Sequence, residues 1–242
     1  MLIDLEILKK EFKLNVFNIV HVGANLGQEV GTYNKIFPNS HIYLIEPQKN
    51  LFKIMNRNFK NNNKVSMFNI ALGNTVGDVN LHLSPTNLSA SSILKPTFHK
   101  EIHPEVKFEG SEIVTINKYE NLNFENVNFL NIDTQGYELE VLKGVGNNIK
   151  FINYILAEIN TKELYENSPL VSDIDKFLGN LGFVRVVTVF WNDDCYWGDA
   201  FYIRKSLITN PQIYRNKIKN YLFKSVFIYK FVKNLKTFLS NK

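Results

Sequence analysis

Residues 18–28 read N-I-V-H-V-G-A-N-L-G-Q. Asn18 to Val22 are strand-compatible and run straight into Gly23, and Gly27 follows four positions later. A helical pattern opens at Leu26 and extends to about residue 36, with Pro38 closing it. The stretch therefore predicts a buried strand, a tight glycine turn and a helix start. Gly23 lets the backbone turn sharply and leaves room for a ligand. The free N–H groups of the helix start point at whatever lies there. The spacing is G-A-N-L-G rather than the G-x-G-x-x-G of a pyrophosphate binder, and it suits a nucleoside ligand. An ordinary βα turn that binds nothing shares this local pattern.

His41 to Pro47, H-I-Y-L-I-E-P, is a second apolar strand and ends in a carboxylate. Glu46 lies 19 positions beyond Gly27. A βαβ unit brings such an acid to the tip of the neighbouring parallel strand, where it can accept both hydroxyls of a ribose. A solvated acid at a strand end is the plainer alternative.

The rest of the chain repeats the strand–helix theme. Strand three is expected at about 64–70, and further strands around 79–83 and 113–116. Strand four, Val127 to Ile132, ends at Asp133, with Gly136 in the turn and a helix through Leu139 to Leu142. Strand five, Tyr154 to Ile159, ends near Glu158 and Asn160. Strands at about 183–190 and 199–204 are joined too closely for a crossover helix and are expected to be antiparallel neighbours. The pattern predicts a doubly wound α/β fold: a mostly parallel seven-stranded sheet with one antiparallel strand. Ligands bind such sheets at the carboxyl ends of the strands, where Gly23, Glu46, Ala71, Asp133 and Glu158 gather. The long polar segment from Ser84 to Ser111, with S-A-S-S at 89–92 and His99 and His103, reads as a lid over that edge.

The chain has 242 residues, 45% of them hydrophobic and 21% charged, enough for one large domain with an appendage. Cys195 stands alone, which excludes an intramolecular disulfide framework and fits a reducing compartment. The N-terminal run has acids among its apolar residues, unlike a secretory signal. No stretch is long and apolar enough to span a bilayer. A cytoplasmic location is expected. The net charge of +5 is unevenly placed: residues 205–242 carry nine Lys and Arg and no acid, which leaves about −4 on residues 1–204. The acidic body argues against nucleic acid as a partner. Residues 1–204 form the expected domain and 205–242 a basic tail. Phe231, Val232, Leu235, Phe238 and Leu239 share one helical face of that tail, opposite Lys230, Lys233 and Lys236. A basic amphipathic helix suits peripheral contact with anionic lipid on the inner face of the membrane. Docking on the body or on a glycosyltransferase is the alternative.

Together these motifs resemble class I S-adenosylmethionine-dependent methyltransferases, and in finer detail the FkbM family. The marks are V-G-A-N-L-G-Q at 22–28, L-I-E-P at 44–47, N-I-A-L-G-N with a glycine at 69–77, the serine segment at 89–92, and N-I-D-T-Q-G-Y-E-L-E-V-L-K-G at 131–144. The resemblance covers about residues 16–204. It implies methyl transfer to a hydroxyl, commonly on a sugar or natural product. By position, Gly23, Ala24, Asn25 and Gly27 would flank the methionine part of S-adenosylmethionine. Glu46, followed by Pro47, would hold the ribose, and Ala71 and Leu72 would border the adenine. Asp133 would face the methionine end and the acceptor. The chain departs from the family at His21, often an acid, and at T-Q-G, often V-E-G. His21 reads as a core histidine.

Such a transfer needs alignment of the two partners and a group that takes the hydroxyl proton. The candidates are Asp133, Glu158, His99 and His103. Asp133, Glu158 and Asn160 are also a candidate oxygen set for Mg²⁺. Trp191, Asp193, Asp194, Trp197 and Asp199 could line an acceptor pocket, since aromatic faces with carboxylates suit a sugar. The expected function is an O-methyltransferase acting on a glycan or glycan precursor. The alternatives are methylation of a lipid or small metabolite at a membrane surface, and a non-catalytic module of the same fold.

Overall fold

The computed structural model describes residues 1–191 and 196–208, so Asp193, Asp194, Cys195 and the tail beyond 208 lie outside the described residues. The main sheet contains β1 (Asn18–Val22), β2 (Ile42–Ile45), β3 (Val65–Phe68), β7 (Val127–Ile132), β8 (Tyr154–Asn160), β9 (Phe183–Phe190) and β10 (Trp197–Arg204). Their order is β3-β2-β1-β7-β8-β10-β9. Only β10 runs antiparallel to its neighbours β8 and β9, as the short joint between the last two strands required.

β1, β2, β7 and β8 read as nearly unbroken apolar runs because both faces of a parallel sheet are covered. One face packs on α1 (Leu5–Phe12), α2 (Val30–Ile36) and α3 (Lys49–Phe59), through residues such as Leu8, Tyr33 and Met55. The other packs on α5 (Glu138–Gly144) and α6 (Val171–Asn180), through Val141, Leu142, Ile174 and Leu178. The register sets Val22 beside Ile45 and Ile132, so the tips of three strands come together.

Two expectations need correction. The helix after Gly23 begins at Val30, not Leu26. Asn25 and Gly27 have φ of 52° and 74°, and a right-handed helix cannot run through left-handed residues. Strand three stops at Phe68, where the Asn69 amide turns the chain by donating to the carbonyls of Glu46 and Pro47, both at 2.9 Å. β4 (Ala71–Leu72) then joins a second sheet with β5 (Gly77–His82) and β6 (Ser111–Asn117), in the order β4-β6-β5.

The segment from Ser84 to Ser111 does cover the carboxyl edge. It holds a 3-10 turn at Leu88–Ala90 and the short helix α4 (His99–Ile102), and it buries Ala90, Ser92, His99 and Val106 against the body.

Candidate active site

Two clefts open on the carboxyl edge of the main sheet. The first has about 710 Å³ of atom-free space, counting the solvent at its open mouth. Gly23, Asn25, Glu46 and Gln48 line its polar part, and Ile45, Ala71, Leu72, Leu81 and Ile93 its apolar end. Gly23 has φ of 79°, and a Cβ there would fall 1.7 Å from the carbonyl oxygen of Asp133. Glycine is therefore what lets β1 and β7 meet at this edge.

Glu46 is 4% exposed. Its Oε2 accepts the Asn25 N–H and its Oε1 the Gln48 N–H, each at 2.8 Å. These bonds aim the carboxyl into the cleft and leave lone pairs on both oxygens for a ligand. Burial pushes its pKa up to about 7.

The second cleft is larger, about 1720 Å³ including its open mouth. Its walls carry Asp133, Glu158, Asn160, Tyr165 and Asp199, with Trp191, Tyr196 and Trp197 from the closing hairpin and His99 and His103 from the cover. Trp191 and Trp197 stack at 5.8 Å between ring centroids, 18° from parallel. Asp133 and Gln135 line both clefts.

Gln135 ties the junction together. Its Nε2 donates to Asp133 Oδ1 at 2.9 Å and to Glu158 Oε2 at 2.7 Å. The buried Tyr165 hydroxyl approaches Gln135 Oε1 and the Ala90 carbonyl, both at 3.0 Å. Gln135 itself has φ of 55°. Its turn is held by Glu138, whose Oε1 accepts the N–H groups of Thr134 and Gly136 at 2.8 and 3.2 Å and the Thr134 hydroxyl at 3.0 Å. Burial, together with the neighbouring Asp133 and Glu138, raises the Glu158 pKa well above the carboxylate range. Burial raises the pKa of Glu138 to about 7, and the surrounding protein raises that of Asp133 although Asp133 is exposed in the clefts.

The cover reaches both clefts. The Asn25 amide donates to Ser89 Oγ at 3.0 Å, and the Gln48 amide to the Leu88 carbonyl at 3.2 Å. On the other side, the Ser92 hydroxyl donates to the Gln135 carbonyl at 2.7 Å.

Residues 21–185 match the family model of the methyltransferase FkbM domain. The chain belongs to the FkbM methyltransferase family. Its reaction class is therefore methyl transfer from S-adenosylmethionine. A curated relative, the 2-O-methyltransferase NoeI of Sinorhizobium fredii, is 23% identical to this FkbM chain over 168 residues, 65% of this chain and 69% of the relative. Among solved structures, a putative caffeoyl-CoA O-methyltransferase from Staphylococcus aureus is similar with a TM-score of 0.47 at 11% identity, covering 83% of this chain and 80% of that one. Fibrillarin from Aeropyrum pernix, in complex with S-adenosyl-L-methionine, gives 0.46 at 14% identity, covering 78% and 67%.

In this FkbM chain, Gly23, Asn25, Glu46, Pro47, Ala71, Leu72 and Asp133 all line the first cleft. Ala24 and Gly27 do not. Ala24 is fully buried, and a Cβ on Gly27 would meet Phe59 Cε2 at 2.6 Å and Leu44 Cδ1 at 3.3 Å, so Gly27 serves packing. Glu158, Asn160 and His103 reach the second cleft, where His103 Nδ1 lies 3.2 Å from Glu105 Oε1. His21 borders the first cleft as a buried ring beside the Tyr33 hydroxyl, 3.4 Å from its Nδ1, and burial lowers its pKa to about 3, which keeps it neutral.

The metal expectation does not fit as simply. Asp133 and Glu158 each give an oxygen to the Gln135 amide. Among the described residues, no group of three or more His, Cys, Asp or Glu could hold an ion. The sequence reading also missed Gln48, Gln135, Glu138 and Tyr165. The D-T-Q-G-Y-E string was visible, but Gln135 matters through Glu158, 23 residues away, and Tyr165 lies in no motif.

Proposed function

We propose that this chain transfers a methyl group from S-adenosylmethionine to a hydroxyl of a sugar in a glycan or glycan precursor. The observation that carries this reading is the meeting of the two clefts at Asp133 and Gln135. One cleft pairs a buried acid with an apolar end, as an adenosyl group requires. The other combines aromatic rings with acids, as a sugar suits. S-adenosylmethionine, when bound, supplies a methyl group on a positively charged sulfur, so the electrophile arrives activated.

In this scheme Glu46 takes the ribose hydroxyls with its remaining lone pairs, and Ala71 and Leu72 border the adenine. Asp133, at the junction, accepts the proton of the acceptor hydroxyl, while Glu158 remains protonated beside it. Gln135 holds both acids in place. His103, oriented by Glu105, is the second candidate for the proton. No step is assigned to Mg²⁺. The NoeI relative, a 2-O-methyltransferase, supports transfer to oxygen.

Calorimetry with S-adenosylmethionine and S-adenosylhomocysteine tests the first cleft, and binding should weaken at least about tenfold in Glu46→Ala through lost charge-assisted hydrogen bonds. A tritiated-methyl assay on host glycan fractions, with and without Mg²⁺ and a chelator, tests the acceptor. Absence of cofactor binding, or label in lipid rather than glycan fractions, would overturn the reading.

A further inference from the structure

The second cleft has an uneven chemistry. Glu29, Glu105, Asp133, Glu158 and Asp199 all stand on its wall. Among the described residues no lysine or arginine lines it; the positive group there is the Met1 amine, 4.0 Å from Glu29 Oε1. Lys162 does not line the cleft and sits on the rings of Phe98 and Tyr196, at 4.3 and 4.4 Å from their centroids.

An independent observation points to a ligand. Asn160 and His99 both line this cleft and are 2% and 7% exposed, yet Asn160 Oδ1 and His99 Nδ1 have no hydrogen-bond partner. Neither atom is open to solvent, so a ligand meets them with a shift of the side chains. Asn160 Oδ1 can only accept a hydrogen bond, and a neutral histidine ring keeps one accepting nitrogen. Burial holds His99 neutral, with its pKa down to about 4. At Asn160 Oδ1 the wall therefore presents an acceptor that asks for a donor, because a buried unpaired acceptor is costly.

Carboxylate, sulfate and phosphate groups bring only acceptors and negative charge. Placed here they would face like charges, which disfavours their binding. A neutral hydroxyl satisfies the acceptors but not the charge. An ammonium is donor-only and positive, and answers both. Resting on the glycan reading above, we propose that the acceptor is an amino sugar, its free amine held by the Asp199 carboxylate and the Asn160 side chain, beside the neutral Glu158, while a neighbouring hydroxyl meets Asp133.

The test is calorimetry on the full chain saturated with S-adenosylhomocysteine. The probes are glucosamine, N-acetylglucosamine and glucuronate oligosaccharides of equal length. The glucosamine oligomer should bind at least about tenfold more tightly than its N-acetylated counterpart, and the glucuronate oligomer should show no measurable binding. Asp199→Asn should shrink the amine preference to roughly threefold or less. Should that variant fail to fold, Glu105→Gln at the exposed rim should reduce the preference in the same direction, and raised salt should do so in the unaltered protein. Equal affinity for the amine and its acetylated form overturns the inference, as does tight binding of the glucuronate oligomer or binding of none of the three. If S-adenosylhomocysteine itself does not bind, it is the methyltransferase reading that fails.

Discussion

Both oxygens of Glu46 already accept a backbone N–H, from Asn25 and Gln48, and burial still lifts its pKa to about 7. The desolvation of the charged form outweighs two hydrogen bonds to it. The unfolded chain holds this proton less tightly, with an ordinary value of 4.5. Between those values the folded state binds more protons, so stability falls as pH rises through that window and is level above it. Glu46→Gln cannot ionise. Wild type should lose up to about 3 kcal/mol between roughly pH 4.5 and 8 that the variant keeps, read as a gap between their denaturation midpoints that widens with pH. A constant gap would place the shift elsewhere. Gly23 sets a steric limit at the same edge. With a Cβ 1.7 Å from the Asp133 carbonyl at φ of 79°, Gly23→Ala should destabilise by about 3 kcal/mol or more, and urea melts will show whether it does.

Elements dock here through glycines as much as through the large apolar residues. A Cβ on Gly144, the last residue of α5, would fall 1.9 Å from the carbonyl oxygen of Gly73, just past β4. Gly144→Ala should therefore push the small sheet off the body, with a loss of about 2–4 kcal/mol in chemical denaturation. The cover makes a different prediction. Its serine segment binds Asn25 and Gln48 in the first cleft, so S-adenosylhomocysteine should slow amide hydrogen exchange across residues 84–92. Unchanged exchange there, with slowing near Gly23 and Glu46, would show that the cover does not sense the cofactor. These elements also show what a sequence can say. β1, β2 and Glu46 were legible because one strand's periodicity and one spacing fix them locally. The late start of α2 was not, since a left-handed Asn25 looks like any helical asparagine in a string of letters. In the small sheet, β5 and β6 were legible, but not β4, which is two residues long and gains its identity from Ile116 and Asn117, some 45 positions on. The Asp133–Gln135–Glu158 bridge was half legible: strand ends placed the acids, but only tertiary packing aims the amide between them.

For the molecule as a whole, charge is divided between an acidic body and a tail with nine basic residues and no acid. Beyond residue 208 the tail lies outside the described residues, and no described helix is long and apolar enough to cross a membrane. The sequence pattern predicts that the full chain binds vesicles containing anionic lipid, more weakly as salt rises, and that a chain ending at residue 208 does not. Equal sedimentation of the two with such vesicles would assign the tail another task. At this scale the strip from Leu88 to Ser92 has a kinetic consequence. One strip borders both clefts, touching Asn25 and Gln48 on one side and Gln135 and Tyr165 on the other. If discharge of a spent nucleoside displaces this strip, the methylated product is freed with it and each encounter leaves a single mark. A polymer offering many equivalent hydroxyls should then gather methyls one at a time and scattered. Mass spectra taken early should hold singly methylated chains almost alone, and contiguous runs from the outset would show that the strip can open on one side without the other.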